Sequence, residues 1–534
     1  MFAETLPTAD YGRFDVCIIG AGAAGIAMAV EFAHTDLQVV VLEGGGLGPG
    51  DHDLPLHEPV AGSEITLRPS QTMTSYFGGN TNHWYGNCRP LESADFTERP
   101  WIAHSGWPIS RDELDPYYAR AQEIAGLGSL SLYDPAACLP ALGLGMEASK
   151  QHGPLVTRIE QATLTPDLAE FHRATLAAAT NVHVVLRHRA VRLHASTKDA
   201  IESVIVVAPD GSEHQVTAER FVLAAGGIEN ARFLLNAAND GAVSRNDLVG
   251  RYFMDHPFFV FDADYLKLRN KLGSKALGLY TVGSGRTTSL KSHGILQGSR
   301  IWAQLVIAPE VASAEGTPGM MFYFIAWSGL PPVLDALRVL RRGAEGSRLR
   351  QMLPAVGALI RHPISALQYV VYRVTGRVPA WTIKLVAQPE QKPDPENRVT
   401  LVDEVDQFGV RGVALRSHMD DEQLRQHSWS LRAAANELGL AGDDIAREFL
   451  LKYSEGDFGF FWHHIGTTRM SETREHGVVD QNGRVHDSTN LYVTGSSIFP
   501  TAGTAGPTLT ILALASRLAG HLASDVRARK SEPG

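Results

Sequence analysis

A run of small residues, Gly20-Ala-Gly22-Ala-Ala-Gly25, lies where the apolar segment Phe14 to Ile19 gives way to a helical stretch, Ala21 to Ala33. The apolar segment is short and β-branched, as a buried parallel strand requires, and Leu37 to Glu43 repeats that texture, so the chain opens with a βαβ unit. At this spacing each glycine has its own task. Gly20 permits the tight turn, Gly22 lets a pyrophosphate approach the backbone, and Gly25 lets helix and strand pack closely. The helix N-terminus, with Ala23 and Ala24, then points free amides and a favourable dipole at the phosphates. Glu43, at the end of the second strand, is placed to accept from a ribose diol and would repel a 2′-phosphate, which fits FAD or NAD better than NADP.

The remaining chain must supply the chemistry, and its 534 residues are too many for one hydrophobic core. Strand texture returns around Val182 to Leu193 and from Ile201 to Ala225, with the turn Pro209-Asp-Gly211 inside the second block, followed by a helix from Ile228 to Asn236. Residues 260 to 450 differ, with scattered aromatics and strand-like pieces such as Trp381 to Val386. The last eighty residues return to glycine-rich turns and a closing helix, Thr510 to Ala523. This reading gives a nucleotide-binding domain in three pieces, 1–125, 181–260 and 455–534. A connecting or substrate segment, 126–180, and a substrate domain, 261–454, carrying a basic insertion at 331–378, lie between them.

A formal charge of −10 argues against nucleic acid, which selects basic faces. The three cysteines, Cys17, Cys88 and Cys138, have no metal-binding or redox spacing, and no metal site is expected. A reducing compartment suits such a chain. Met1 to Arg13 lacks the basic flank and apolar core of a signal peptide, and no segment reaches the roughly 18 apolar residues of a membrane span. The expectation is a cytoplasmic protein that does not cross a membrane.

Three distant segments carry a family resemblance. The first is Phe77-Gly78-Gly79-Asn-Thr-Asn82-His83-Trp84 with Arg89-Pro-Leu91 and Gly106-Trp-Pro108. The second is Leu223-Ala-Ala225-Gly226-Gly227 with Val249 to Pro257. The third is His463-His464-Ile-Gly-Thr-Thr-Arg-Met470 followed by Phe499-Pro-Thr501 and Pro507-Thr508-Leu-Thr510. In this order they resemble the glucose-methanol-choline (GMC) oxidoreductases. The resemblance implies an α/β fold, with a Rossmann-like FAD-binding domain interleaved with an α+β substrate domain built on an antiparallel sheet. It further implies FAD as cofactor and oxidation of an alcohol CH–OH group on a small molecule, bulky ones included. Dioxygen or another acceptor would take the electrons.

The same resemblance implies roles. His463 would be the general base, whose near-neutral intrinsic pKa suits that task, and His464 its neighbour on the opposite face. Where many relatives carry a histidine or asparagine before the Pro507-Thr508 pair this chain has Gly506, so Thr504 or a water would assist the base and space would open over the flavin. The departure also keeps open lyase, decarboxylase or tailoring chemistry, and a third reading is a flavin-binding partner without turnover. Gly78, Gly79 and Asn82 would contact the flavin edge. His83 either links the flavin covalently or packs beside it. Val191 would meet the adenine with its backbone, Ala225 and Gly226 belong to the mid-chain flavin signature, and Gly495 and Ser496 would face the pyrophosphate. Pro507 and Thr508 would face the flavin N1/O2 side. His256 reads as a structural histidine in preference to a second base, and Asp420-Asp-Glu422 as a helix start.

Between Arg338 and Arg377 eight arginines face one acid, Glu345, with apolar residues at helical spacing. A solvated cover for the substrate domain is preferred over contact with a membrane surface.

Overall fold

Phe14–Ile19, buried at every position, is an inner strand of an eight-stranded sheet. Val39–Leu42 and Glu213–Leu223 flank it in parallel, and Val182–Val185, Phe2–Ala3 and Leu491–Val493 extend the parallel array. With both faces covered, such strands are apolar throughout instead of alternating, and Val16, Ile18, Val40, Phe221 and Val222 are all at most 1% exposed. Each contributes about 1.5–3 kcal/mol through burial. The strands Arg189–Thr197 and Ala200–Val207 continue the sheet as an antiparallel meander ending on Glu213–Leu223. Helices Ala23–Phe32 and Thr508–Ser531 share the core cluster of this sheet.

The computed structural model describes residues 2–3, 13–49, 73–149, 151–197, 199–283, 294–327 and 382–531, with a few positions between 357 and 370. Apart from those few positions, the basic insertion lies outside the described residues.

Among the described residues the second sheet has nine strands, seven of them running in the order Gly459–Phe460, Pro257–Ala263, Thr382–Pro389, Met320–Trp327, Ser299–Ile307, Leu155–Thr163 and Asn87–Cys88. All six of these neighbouring pairs are antiparallel. One face packs on helix Asp421–Glu437 through Leu431, Ala434 and Ala435. That helix starts as its acidic run implies, with the Asp420 carboxylate accepting from the Gln423 amide at 2.6 Å. The other face carries Trp302, Tyr323, Phe258 and Phe461.

Sheet membership departs from the expected division at three places. Asn87–Cys88, inside 1–125, belongs to the antiparallel sheet, as does Pro257–Ala263, which straddles position 260. The hairpin Arg398–Val405 and Arg411–Arg416, inside 261–454, packs Val399, Val413 and Leu415 against Ile228 and Ala231 of the nucleotide-binding side. The physical reason is closure: neither sheet can cover its apolar face without borrowing segments from the other's stretch of chain.

At Gly25 the helix packs against the turn with no room for a side chain. A β-carbon there would lie 2.0 Å from the Gly20 carbonyl oxygen, closer than any atom pair tolerates. Gly25→Ala is therefore expected to cost about 2 kcal/mol or more, read as a lowered unfolding midpoint together with reduced FAD content after purification.

Candidate active site

The segments that sequence places hundreds of residues apart line one cleft of about 360 Å³. One end is formed by Gly20, Gly22, Ala23, Ala24 and Glu43, the other by His463. Gly20 turns with φ +105°, against Ala224 of the neighbouring strand end. No side chain caps the helix at Gly22, so its leading amides stay free for an anion. The nearest atom to a β-carbon built on Gly22 is the Gly79 Cα, 3.9 Å away, which leaves the backbone open to a close ligand. Glu43 is buried, and its carboxylate accepts from the Ala21 and Gly45 amides at 3.0 Å each. Burial pushes its pKa up while those amides and Arg189 pull it down. Free amides at one helix start, a braced acid at the strand end and a glycine-walled channel between them fit the adenosine and pyrophosphate of FAD.

Gly79, His83, Ala225, Gly226, Gly495, Ser496, Pro507 and Thr508 also line the cleft. Asn230, fully buried, holds this wall together: its Oδ1 accepts from the Ala225 amide, and its Nδ2 donates to the Thr494 carbonyl and the Ser497 hydroxyl. Four of the expected residues do not line this cleft. Gly78 donates its amide to the Ala21 carbonyl, and Asn82 donates to the Phe77 and Gly79 carbonyls, so both brace the loop and leave Gly79 and His83 to face the cleft. Val191 is buried with Val207 and Val410, whereas its neighbours Arg189 and Ala190 reach the cleft. Thr504 accepts from Arg89 Nη2 at 3.0 Å in the buried interior, because that guanidinium must spend its donors. The hydroxyl is thereby held away from the cleft.

His463 does not stand alone. Its Nδ1 lies 2.9 Å from Nδ1 of His256, with the rings nearly perpendicular. His256 Nε2 meets the Gly503 carbonyl at 2.9 Å, and a carbonyl only accepts, so Nε2 carries the proton. Burial lowers the pKa of both rings, that of His463 well below the usual histidine value with help from the neighbouring His256 and His464. Both are neutral near pH 7. His256 Nδ1 is then a lone pair that accepts from His463 Nδ1–H, which leaves His463 Nε2 unprotonated. The reading of His256 as a purely structural histidine is corrected: it sets the tautomer of His463. His464 is buried beside Phe253, pushed down to about 4 by that burial, and its carbonyl accepts from the Ser496 hydroxyl.

Asp255 fixes the pair from behind. Its Oδ1 accepts from the backbone amides of His256 at 2.6 Å and His463 at 2.9 Å. Burial raises this carboxyl to about 7 against the pull of both amides. Deeper still, Glu390 accepts from Arg99 through both carboxylate oxygens, from the Gly319 amide and from the Gly503 amide. Gly506 borders His463: a β-carbon there would meet the His463 Cε1 and the Asn87 carbonyl at 3.9 Å each, and nothing nearer. Among the described residues no group of His, Cys, Asp or Glu is placed to hold a metal, and no helix is long and apolar enough to cross a membrane.

A nucleotide cleft ending on an oriented histidine pair defines a dinucleotide-dependent oxidoreductase. Residues 15–246 match the family model described as FAD binding domain, and residues 393–515 match that described as GMC oxidoreductase. The chain belongs to the GMC oxidoreductases and is an FAD-dependent enzyme acting on CH–OH groups. It is 25% identical to paromamine 6′-oxidase of Streptomyces fradiae over 97% of this chain and 92% of that protein. With 2-methyl-1,2-propanediol dehydrogenase of Mycolicibacterium austroafricanum it shares 22% over 98% of both. Among solved structures, formate oxidase of Aspergillus oryzae superposes with a TM-score of 0.58 at 17% identity, covering 98% of this chain and 100% of that one. At such identity the superposition speaks for the fold.

Glu43→Gln keeps the side chain's size but replaces one acceptor oxygen with a donor facing a backbone N–H. The expected result is a fall in FAD occupancy of about tenfold at limiting FAD, read from the ratio of flavin to protein absorbance, with the protein still folded.

Proposed function

We propose that this enzyme oxidises a hydroxyl of a small polar molecule, with His463 as the general base. The observation that carries this is the His256–His463 contact, which holds His463 in the tautomer whose Nε2 lone pair is free. When bound, FAD supplies the N5 acceptor for the hydride that leaves the carbinol carbon. His463 Nε2 takes the hydroxyl proton. Its Nδ1–H stays donated to His256, and the Asp255 carboxylate keeps both backbones in place. Relatives named for paromamine, 2-methyl-1,2-propanediol and 5-(hydroxymethyl)furfural support a hydroxyl on a polar molecule as the target.

Anaerobic mixing with those three alcohols and a methyl glycoside tests the reading. Bleaching of the oxidised flavin band by at least one of them supports it, and no bleaching by any refutes it. His463→Ala is expected to slow this bleaching about 10²- to 10⁴-fold. Gly506 favours a second reading, lyase or decarboxylase chemistry in the opened space. Under it the substrate is converted and the flavin stays oxidised. Peroxide release under air distinguishes dioxygen from another acceptor, and acid precipitation shows whether the yellow colour stays with the protein through His83.

The lowered pKa of His463 sets the pH dependence. The neutral, proton-accepting ring persists below the usual histidine value and is lost only as pH falls through the lowered one. The rate of flavin reduction is therefore expected to be level from pH 8 through 6.5 and to fall only at more acid pH, measured by stopped flow. In His256→Phe the acceptor for Nδ1–H is gone, and kcat is expected to fall about tenfold with KM nearly unchanged.

A further inference from the structure

The wall opposite Gly506 carries an amide with no assigned task. Asn87 lies on the short strand Asn87–Cys88 at the edge of the antiparallel sheet, its backbone paired opposite Ala162. Its side chain sits on the same face as Trp302, Tyr323 and Phe461, and Phe461 stacks on His463 at 5.8 Å between ring centres. Trp302 Nε1 donates to Asn87 Oδ1 at 3.2 Å. An indole N–H can only donate, so this contact dictates which end of the amide is oxygen. Asn87 Nδ2 is left with two N–H groups and no partner among the described residues. The backbone carbonyl of Asn87 and the His463 Cε1 then flank the gap at Gly506 from two sides, each 3.9 Å from where a β-carbon would stand, so the strand that carries the amide borders that gap.

We propose that Asn87 is the substrate-holding donor of this enzyme. Its Nδ2–H donates to the hydroxyl oxygen whose proton His463 Nε2 accepts, with Trp302 locking the amide in that orientation. As the O–H bond breaks to His463 and the C–H electron pair leaves as hydride to the FAD, negative charge gathers on the oxygen and then forms the carbonyl bond. A neutral N–H donor stabilises that charge more than it stabilises the bound alcohol, so its effect falls mainly on kcat. Gly506 supplies no side chain of its own, and the open space it leaves is where the hydroxyl reaches both partners.

The inference rests on His463 being the base, so the experiment separates the two. The probes are whichever alcohol of the set above bleaches the flavin fastest, and its methyl ether, which keeps the oxygen but has no proton to give. Asn87→Ala is expected to lower kcat on the order of 10²-fold and to weaken ether binding about three- to tenfold, followed by the flavin spectral shift, with FAD content and unfolding midpoint unchanged. His463→Ala should slow reduction about 10²- to 10⁴-fold yet bind the ether nearly as wild type does. Asn87→Asp, of the same size but without the donor, should lose as much as Asn87→Ala, and Trp302→Phe, which frees the amide to flip, should lose less. The decisive variant is the double mutant Asn87→Ala with Gly506→Asn, where an amide returns from the other wall. Recovery of at least tenfold in kcat over Asn87→Ala supports a donor role that a merely structural residue would not show. Absence of recovery, or an Asn87→Ala enzyme within twofold of wild type in kcat and ether affinity while His463→Ala is slowed to that extent, would overturn the assignment of Asn87 and leave His463 standing. Normal turnover in His463→Ala would instead remove the reading beneath it.

Discussion

The carboxylate of Glu390 is the point on which the site hangs. It is about 1% exposed, and an isolated charge at that depth would be prohibitive. What makes it tolerable is a bidentate guanidinium, Arg99, and two backbone amides, Gly319 and Gly503. Arg99 comes from the loop that follows the flavin-facing segment, Gly319 from the turn before an antiparallel strand, and Gly503 from the C-terminal segment. The opposing charge and donors hold Glu390 ionised, below the usual carboxylate range, in spite of its burial. Removing one partner of such a buried pair typically costs about 3–5 kcal/mol. Three stretches of chain that share no local structure are thereby obliged to meet.

From there the order passes through single contacts. Gly503 offers its amide to Glu390 and its carbonyl to His256, so the position of the carboxylate becomes the tautomer of His256 and then that of His463. Each link is a donor meeting an obligate acceptor, which is why the protonation pattern follows from heavy-atom geometry. A parallel chain of buried charge, Arg89 with Glu160 and Glu92, ties the strand end next to Asn87 to the antiparallel sheet. Thr504 is drawn into this second network, at the expense of any role in the cleft.

That division explains what could be read in the sequence. The nucleotide end was legible because its physics is local: glycine spacing, an apolar strand and a terminal acid lie within thirty residues, and the helix observed at Ala23–Phe32 falls inside the expected span. The closing helix was found but begins earlier and runs longer, Thr508–Ser531, since Pro507 sets its start and packing on the first helix extends it. His463 emerged from resemblance. Its partner did not, because His256 is 207 residues away and nothing in the run Met254-Asp-His-Pro257 records which ring it will face. Two side chains near the cleft turn inward for a related reason: along one strand Arg189 and Ala190 border the cleft while the Val191 side chain packs into the core, and a buried arginine elsewhere claims Thr504.

Desolvation unites the chemistry. His463, His256 and His464 are all held neutral mainly by burial, with no carboxylate side chain among the described residues pressed against any of their rings; Asp255 spends its Oδ1 on backbone amides. A carboxylate facing a ring nitrogen would have raised the pKa and made a stronger base at the cost of protonating it near neutral pH. The arrangement here instead keeps the ring ready to accept a proton, weakly basic and fixed in direction. A weak base completes proton transfer only if the oxygen it leaves behind is stabilised, so the burial that keeps His463 neutral also creates the need for a donor on the opposite wall.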